Sequence, residues 1–388
     1  MARVSAPMYP PARSTASARS RSARRRLGVV ALTVALAACS SADDGGAGGQ
    51  TDQASGAAPA AQPSAPVPST SSAPSPSPSA SASGGSGGEP VTLAFAGDTH
   101  FERGLGDGRL GGLGKTLAAA DLAVVNLETA VTERGEPVPK QYVFRGPATA
   151  LNGIVESGVD AVSLANNHGM DYGRTGLLDT LEAGERAGLP IIGAGRDAAQ
   201  AYAPLRRTVK GQRIAVIGAT QVLDGSVKAA WTAGEGKPGL ASAYEVETLL
   251  DAVREARATS DTVVVFLHWG VERQTCPPPQ ALTLTDQLIE AGADVLVGSH
   301  AHVLLGDGRK GNAYVHYGMG NFLWYNGVGA GAKTGVLTLT VQGRTTTQAA
   351  WEPGLVTRGR PEPLTGAARE AALREREQRR GCTGLSAP

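Results

Sequence analysis

The chain has 388 residues, 36 of them basic and 35 acidic, for a formal net charge of +1. Seven arginines fall in the first 26 residues, so the rest carries 29 basic against 35 acidic side chains. A mature chain with a charge of about −6 lacks the electrostatic footprint of a non-specific nucleic-acid binder, and no nucleic-acid partner is expected.

Residues 1–26 contain Arg3, Arg13, Arg19, Arg21, Arg24, Arg25 and Arg26 and no acid, and an apolar run follows over 27–38. This is the pattern of an export signal too short to stay in a bilayer as a span. The run ends Leu36-Ala37-Ala38-Cys39, which resembles a bacterial lipobox. Residues 1–39 therefore read as a lipoprotein signal with Cys39 as the lipid-bearing residue, and the consecutive Arg24, Arg25 and Arg26 leave a twin-arginine route open. A lipid of more than one chain anchors firmly, so the expected location is the outer face of the cell membrane. Residues 40–89 are Ala, Gly, Ser and Pro with hardly a charge, a composition that buries nothing and reads as a disordered tether.

Residues 90–362 are enough for one substantial core, with no second linker to divide them. Short apolar runs at 91–96, 122–127, 161–165, 190–193, 213–219, 262–268 and 295–298 predict strands. Helical stretches at 110–120, 175–188, 243–259 and 278–292 alternate with them, which predicts an α/β domain with buried sheets. Runs at 313–317, 335–341 and 345–351 follow without helices and predict an antiparallel closing section. In the tail, 363–388, residues 366–380 predict a charged helix acting as a solvated cover. With Cys39 lipidated, Cys276 and Cys382 remain as an even pair in an exported chain, and a disulfide between them would pin the tail to the loop after His268.

Chemistry gathers at the strand ends. In chain order these read Gly97-Asp98-Thr99-His100, Asn126-Leu127-Glu128, Asn166-Asn167-His168-Gly169-Met170-Asp171, His268-Trp269-Gly270-Val271-Glu272 and Gly298-Ser299-His300-Ala301-His302. Five of the six histidines stand at such ends; His316 falls within a strand and reads as core. In open α/β sheets ligands bind beyond the carboxyl ends of the strands, so these termini can converge on one site. Imidazoles, carboxylates and an Asn oxygen, with no Cys, suit two divalent metal ions, manganese, zinc or iron. Two ions need a bridging carboxylate, for which Glu128 is the leading candidate between Asp98 with His100 and His268 with His300. One histidine is better left unbound as an acid, and His168 beside Asn167 can serve.

The series Asp98-x-His100, an acid, Asn167-His168, His268 and Gly-Ser-His300-x-His302 resembles the ordered motifs of calcineurin-like metallophosphoesterases. The variants N-L-E, A-N-N-H-x-x-D-x-G, H-W-G-x-E and G-S-H-A-H-V, with G-N-F at 320–322, resemble one branch more closely, the CapA family linked to poly-γ-glutamate capsule synthesis. The resemblance spans about residues 91–325. It implies a four-layer α/β/β/α sandwich in which Asp98, His100 and His302 hold one metal and Asn167, His268 and His300 the other, with Glu128 bridging and His168 as catalytic acid. Two positions depart from the wider pattern: Asn126-Leu127-Glu128 stands where G-D-x-x-D is usual, and Leu305 where Gln is frequent. Lys140, Tyr142 and Arg145 are candidates to meet an anionic substrate, Glu272 to support His268 or contact substrate, and Asn321 to orient a ligand or cap a turn. Trp269 reads as packing.

The resulting expectation is a surface lipoprotein that makes, releases or attaches an anionic polymer by metal-assisted hydrolysis or transfer, beside a membrane polymer-synthase complex. Two alternatives stand next to it. One is a phosphoesterase acting on a phosphorylated substrate, a nucleotide or an envelope phosphodiester; the other is a non-catalytic assembly factor whose metals hold the fold.

Overall fold

Strand Thr262–His268 shows how the sequence builds the sheets. It reads T-V-V-V-F-L-H and is buried along its whole length. With a side-chain period of two, Val263, Val265 and Leu267 pack against helices on one face, while Val264 and Phe266 meet a second sheet on the other. A parallel strand covered on both faces has to be apolar throughout, and here only its last residue, His268, is polar enough to act.

The structure is a computed structural model that describes residues 88–388. The export signal, Cys39 and nearly all of the tether lie outside the described residues. Among those described, an eight-stranded sheet runs Arg360–Pro363, Thr345–Thr357, Lys333–Gln342, Val91–Thr99, Leu122–Leu127, Ala161–Ser163, Ile191–Ile192, with Asn321–Leu323 pairing beside Val91–Thr99. A six-stranded sheet runs Asp307–Lys310, Ala313–His316, Val295–Ser299, Thr262–His268, Gln212–Thr220, Leu205–Val209. Leu93, Phe95, Val124 and Leu339 of the first sheet share one core with Val216, Phe266 and Val297 of the second, so the sheets pack face to face. The outer face of the first sheet is covered by Leu117, Leu151, Ile154, Leu177 and Leu181, from helices Gly114–Ala118, Ala150–Glu156 and Gly173–Ala187. The second is covered by Leu249, Val253, Leu284 and Leu288, from Val246–Thr259 and Pro279–Ala291. The layers are α/β/β/α, and each buried Leu adds about 1.5–3 kcal/mol.

Two expectations are corrected. The closing section is split: Lys333–Gln342 and Thr345–Thr357 are antiparallel and join the first sheet, but Ala313–His316 belongs to the second sheet, parallel to Val295–Ser299. The helix expected over 110–120 shortens to Gly114–Ala118. Gly111, at φ 57, and Gly112 leave its first turn without helix formers.

Helix Gly366–Arg379 buries none of its residues outright, yet Arg376 ties it down. Its guanidinium donates to Asp307 at 2.9 and 2.5 Å and to the Tyr314 hydroxyl at 3.0 Å. Cys276 and Cys382 are disulfide-bonded. The chain end is also held by Arg309 and Ser386, which exchange backbone hydrogen bonds of 3.0 Å.

Candidate metal centre

In each sheet the central strands are parallel, and the carboxyl ends of Val91–Thr99, Leu122–Leu127, Thr262–His268 and Val295–Ser299 carry the site.

 The first sheet supplies Asp98, Glu128 and Asn167; the second supplies His268, His300 and His302. Gly97 makes the approach possible. The register against the neighbouring strand shifts between Ala96 and Asp98, and a Cβ on Gly97 would lie 1.8 Å from the Gly320 carbonyl oxygen. That oxygen accepts the Asp98 N–H at 2.9 Å, which sets the Asp98 backbone at the strand tip.

Three amide side chains then line up the donors. Asn126 Nδ2 donates to Asp98 Oδ1 at 2.9 Å, and Asn166 Nδ2 donates to Asn126 Oδ1 at 3.1 Å and to the Leu127 carbonyl at 2.8 Å. Asn166 Oδ1 in turn accepts the His168 N–H at 3.0 Å. Asn167 points the other way, its Oδ1 2.7 Å from His268 Nε2. The opposite nitrogen of that ring, Nδ1, lies 2.9 Å from Ser299 Oγ, so the ring is oriented from both sides. His300 and His302 sit at φ 90 and 56, a left-handed conformation that costs a non-glycine residue about 1–2 kcal/mol. Such strain persists where the surroundings over-determine it. Here the His300 N–H donates to both Asp98 carboxylate oxygens at 3.3 Å.

The ligand atoms form two groups, Glu128 with His268 and His300, and Asp98 with Glu128 and His302, each within 4.8 Å of one another. Glu128 belongs to both. The two histidines of the final turn thus separate, one to each group. Both Glu128 carboxylate oxygens and His300 Nδ1 are buried without a hydrogen-bond partner, at a cost of about 1–3 kcal/mol per group unless something satisfies them. Burial, and then the charge of Asp98, push the Glu128 carboxyl well above the usual range. Burial and the neighbouring rings of His300 and His302 hold His268 well below its ordinary value, and burial brings His300 down to about 3. Unprotonated imidazoles around a carboxylate that lacks a cation are a donor set that divalent metal ions fit.

His100 stands apart from both groups. Its Nε2 accepts the Tyr325 N–H at 3.4 Å, and its ring packs among Phe144, Trp324 and Tyr325 at centroid distances of 4.8, 4.2 and 5.0 Å. Its Nδ1, like that of His300, is buried without a hydrogen-bond partner, so the ring still has a nitrogen to offer an ion. His168 is also outside the two ligand groups. Its Nδ1 lies 2.6 Å from Asp171 Oδ2, and the Phe144 ring stacks on it at 4.2 Å. Asp171 is fully buried; it accepts the Phe144 N–H at 2.6 Å and pairs with Lys140 at 2.5 Å. Burial lowers the His168 pKa, and the bond to Asp171 works against that.

A cavity of about 460 Å³ opens over His168 and His302, walled by Tyr142, Phe144, Trp324 and Tyr325 and including Glu272, Arg273 and Asn321. Lys140 and Arg145 are not among its walls. The Lys140 ammonium is taken up by Asp171 and the Asn167 carbonyl, and Arg145 is exposed with its guanidinium 4.9 Å from the Tyr172 ring centroid. Asn321 lines the cavity, but its Oδ1 is 2.9 Å from His302 Nδ1 and its Nδ2 donates to the Gly331 carbonyl at 2.9 Å, so it orients a ligand side chain. His316 ends its strand, is buried, and packs on Trp351 away from the centre. Sequence reasoning quoted Asn126, Asn166 and Asp171 without giving them work. The signal available was their place beside ligands at strand ends.

Among proteins similar to this chain are the capsule biosynthesis protein CapA of Bacillus anthracis, 31% identical over 221 residues that make up 56% of this chain and 53% of that one, and the PGA biosynthesis protein CapA of Bacillus subtilis (strain 168), 31% identical over 212 residues, 54% of each. The chain spans about half the length of these relatives. A solved structure of a 5'-nucleotidase from Candida albicans SC5314 is similar with a TM-score of 0.40 and 9% identity, over 75% of this chain and 58% of that one. The family described as bacterial capsule synthesis protein PGA_cap matches residues 92–326, a stretch that contains every candidate ligand from Asp98 to His302, and the chain belongs to that family.

Proposed function

We propose that this is a CapA-type protein acting on a poly-γ-glutamate-like anionic polymer, in its synthesis, release or attachment, by hydrolysis or transfer at a binuclear metal centre. The observation that carries the proposal is Glu128, shared by two ligand groups with both oxygens buried and unpartnered, beside a cavity that contains His168. Asp98, Glu128 and His302, with His100 offering its unpartnered Nδ1, would hold one ion, and Glu128, His268 and His300, with Asn167 next to them, the other. When bound, such ions polarise the reacting carbonyl or phosphoryl oxygen and make water a nucleophile near neutral pH.

The chain's own residues do the rest. Asp171 fixes the His168 ring through Nδ1, which leaves Nε2 to hand a proton to the leaving group. Lys140 pairs with the buried Asp171 side chain, and the Phe144 and Trp324 rings wall the cavity beside it. The basic leader, the apolar run and Cys39 support a lipoprotein at the outer face of the cell membrane, with a membrane polymer-synthase complex as partner.

The test is metal content by elemental mass spectrometry on the full-length protein. Wild type should carry close to two manganese, zinc or iron ions per chain; His300→Ala should lose metal, and His168→Ala should keep it while losing polymer cleavage or transfer. A wild-type chain that takes up no metal on reconstitution with these ions would overturn the proposal and leave an assembly factor.

A further inference from the structure

The loop after His268 brings an acid and a base into the cavity side by side, Glu272 and Arg273. Both side chains are exposed, and among the described residues neither has a side-chain hydrogen bond or ion pair. The loop is nevertheless fixed. The Gln274 N–H closes a turn onto the Val271 carbonyl at 3.1 Å, and the Arg273 N–H donates at 2.8 Å to the Ala301 carbonyl, between His300 and His302. Arg273 occupies the turn position with φ 62, where Gly or Asn is favoured. An Arg kept in a strained conformation, tied by its backbone to the metal-ligand turn and free at its guanidinium, is placed to meet something that enters the cavity.

Opposite charges next to each other call for a ligand that carries both. A phosphate-centred ligand would be drawn by Arg273 and repelled by Glu272 beside it. In a γ-linked glutamate chain every unit displays an α-carboxylate, but the α-nitrogen is an amide everywhere except in the unit at the amino end. Resting on the polymer reading above, we infer that Glu272 and Arg273 recognise that end unit, Glu272 taking its free α-ammonium and Arg273 its α-carboxylate in a bidentate pair. Tyr142 and Trp324 cover the methylene stem. The protein then works from the amino end of the chain, because an interior unit offers Glu272 no cation.

The experiment is calorimetric titration of the full-length protein with three probes: γ-glutamylglutamate, its N-acetyl derivative, and the derivative amidated at the α-carboxyl of its first unit. Wild type should bind the parent dipeptide at least about tenfold more tightly than either derivative, the size expected from losing one charged hydrogen-bonded contact. Glu272→Gln should abolish the discrimination against acetylation and keep that against amidation; Arg273→Gln should do the reverse. Equal binding of all three probes to wild type, or discrimination unchanged in both variants, overturns the end-reading pair while leaving the polymer as substrate. If no γ-glutamyl probe binds but inorganic phosphate does, the polymer reading fails and the pair's assignment with it.

Discussion

Asp171 is buried with His168, the Phe144 N–H and Lys140 around it, and among the described residues Lys140 is the one lysine or arginine that pairs with it. Breaking a buried ion pair from one side costs about 3–5 kcal/mol, because the other charge is left unpaired. Lys140→Met should therefore destabilise the domain by roughly that amount in urea unfolding. Asp171→Asn keeps the shape but turns the wrong atom to His168 Nδ1, and should cut turnover by about 10²–10⁴-fold with metal content unchanged. His316 offers a titration well away from the metal centre. Its ordinary value is 6.5, and burial brings it to about 4 in the fold. Between those values the unfolded chain holds the proton and the folded chain does not, so stability falls as pH drops from 6.5 to 4, by about 3 kcal/mol from this group. Urea midpoints compared across that window should fall less steeply in His316→Asn than in wild type. Much of the site is legible at this scale because a histidine after an apolar strand has few structural reasons to be there. Asn126 and Asn166 escape notice because asparagine at a strand end is ordinary turn chemistry. Lys140 reads from its loop as a cation for an anionic substrate, and only the fold shows the buried Asp171 against its ammonium.

Parallel strands announce themselves as elements, since burial on both faces leaves unbroken runs of Val, Ile, Leu and Phe such as 262–268. What sequence does not reveal is which sheet a strand joins. Ala313–His316 has the composition of its neighbours in the chain, and only its pairing with Val295–Ser299 assigns it to the second sheet. The terminal helix shows the same limit. Gly366–Arg379 reads as solvated from its charges, and the structure adds anchors, Arg376 on Asp307 and Tyr314, Glu375 on Lys333 and Leu373 on the core between the sheets. The bond between Cys276 and Cys382 closes a loop with a sequence separation of 106. In the chain-entropy account a loop of that size contributes about 4–5 kcal/mol. Reduction, or the double replacement of Cys276 and Cys382 by Ser, should lower the urea midpoint accordingly without changing metal content.

For the whole molecule, the candidate ligands come from both sheets, so metal ions held there would bridge the packed interface and stabilise only the closed sandwich. Chelation should lower the stability of the fold, and the melting temperature with it, by about 4 kcal/mol where the metal stood at a thousandfold excess over Kd. The strand order carries a further consequence. Val91–Thr99 lies in the middle of its sheet, and one of its two main neighbours is Lys333–Gln342, some 240 residues later in the chain. An emerging polypeptide therefore cannot finish that sheet until nearly all of it has been delivered, and until then the first strand offers a bare hydrogen-bonding edge. The stretch recognisable by family, 92–326, ends before that partner begins. It is shorter than the unit that folds, and a polypeptide cut at 326 is expected to collect as insoluble protein, with Leu93 and Phe95 left without Leu337 and Leu339 to cover them.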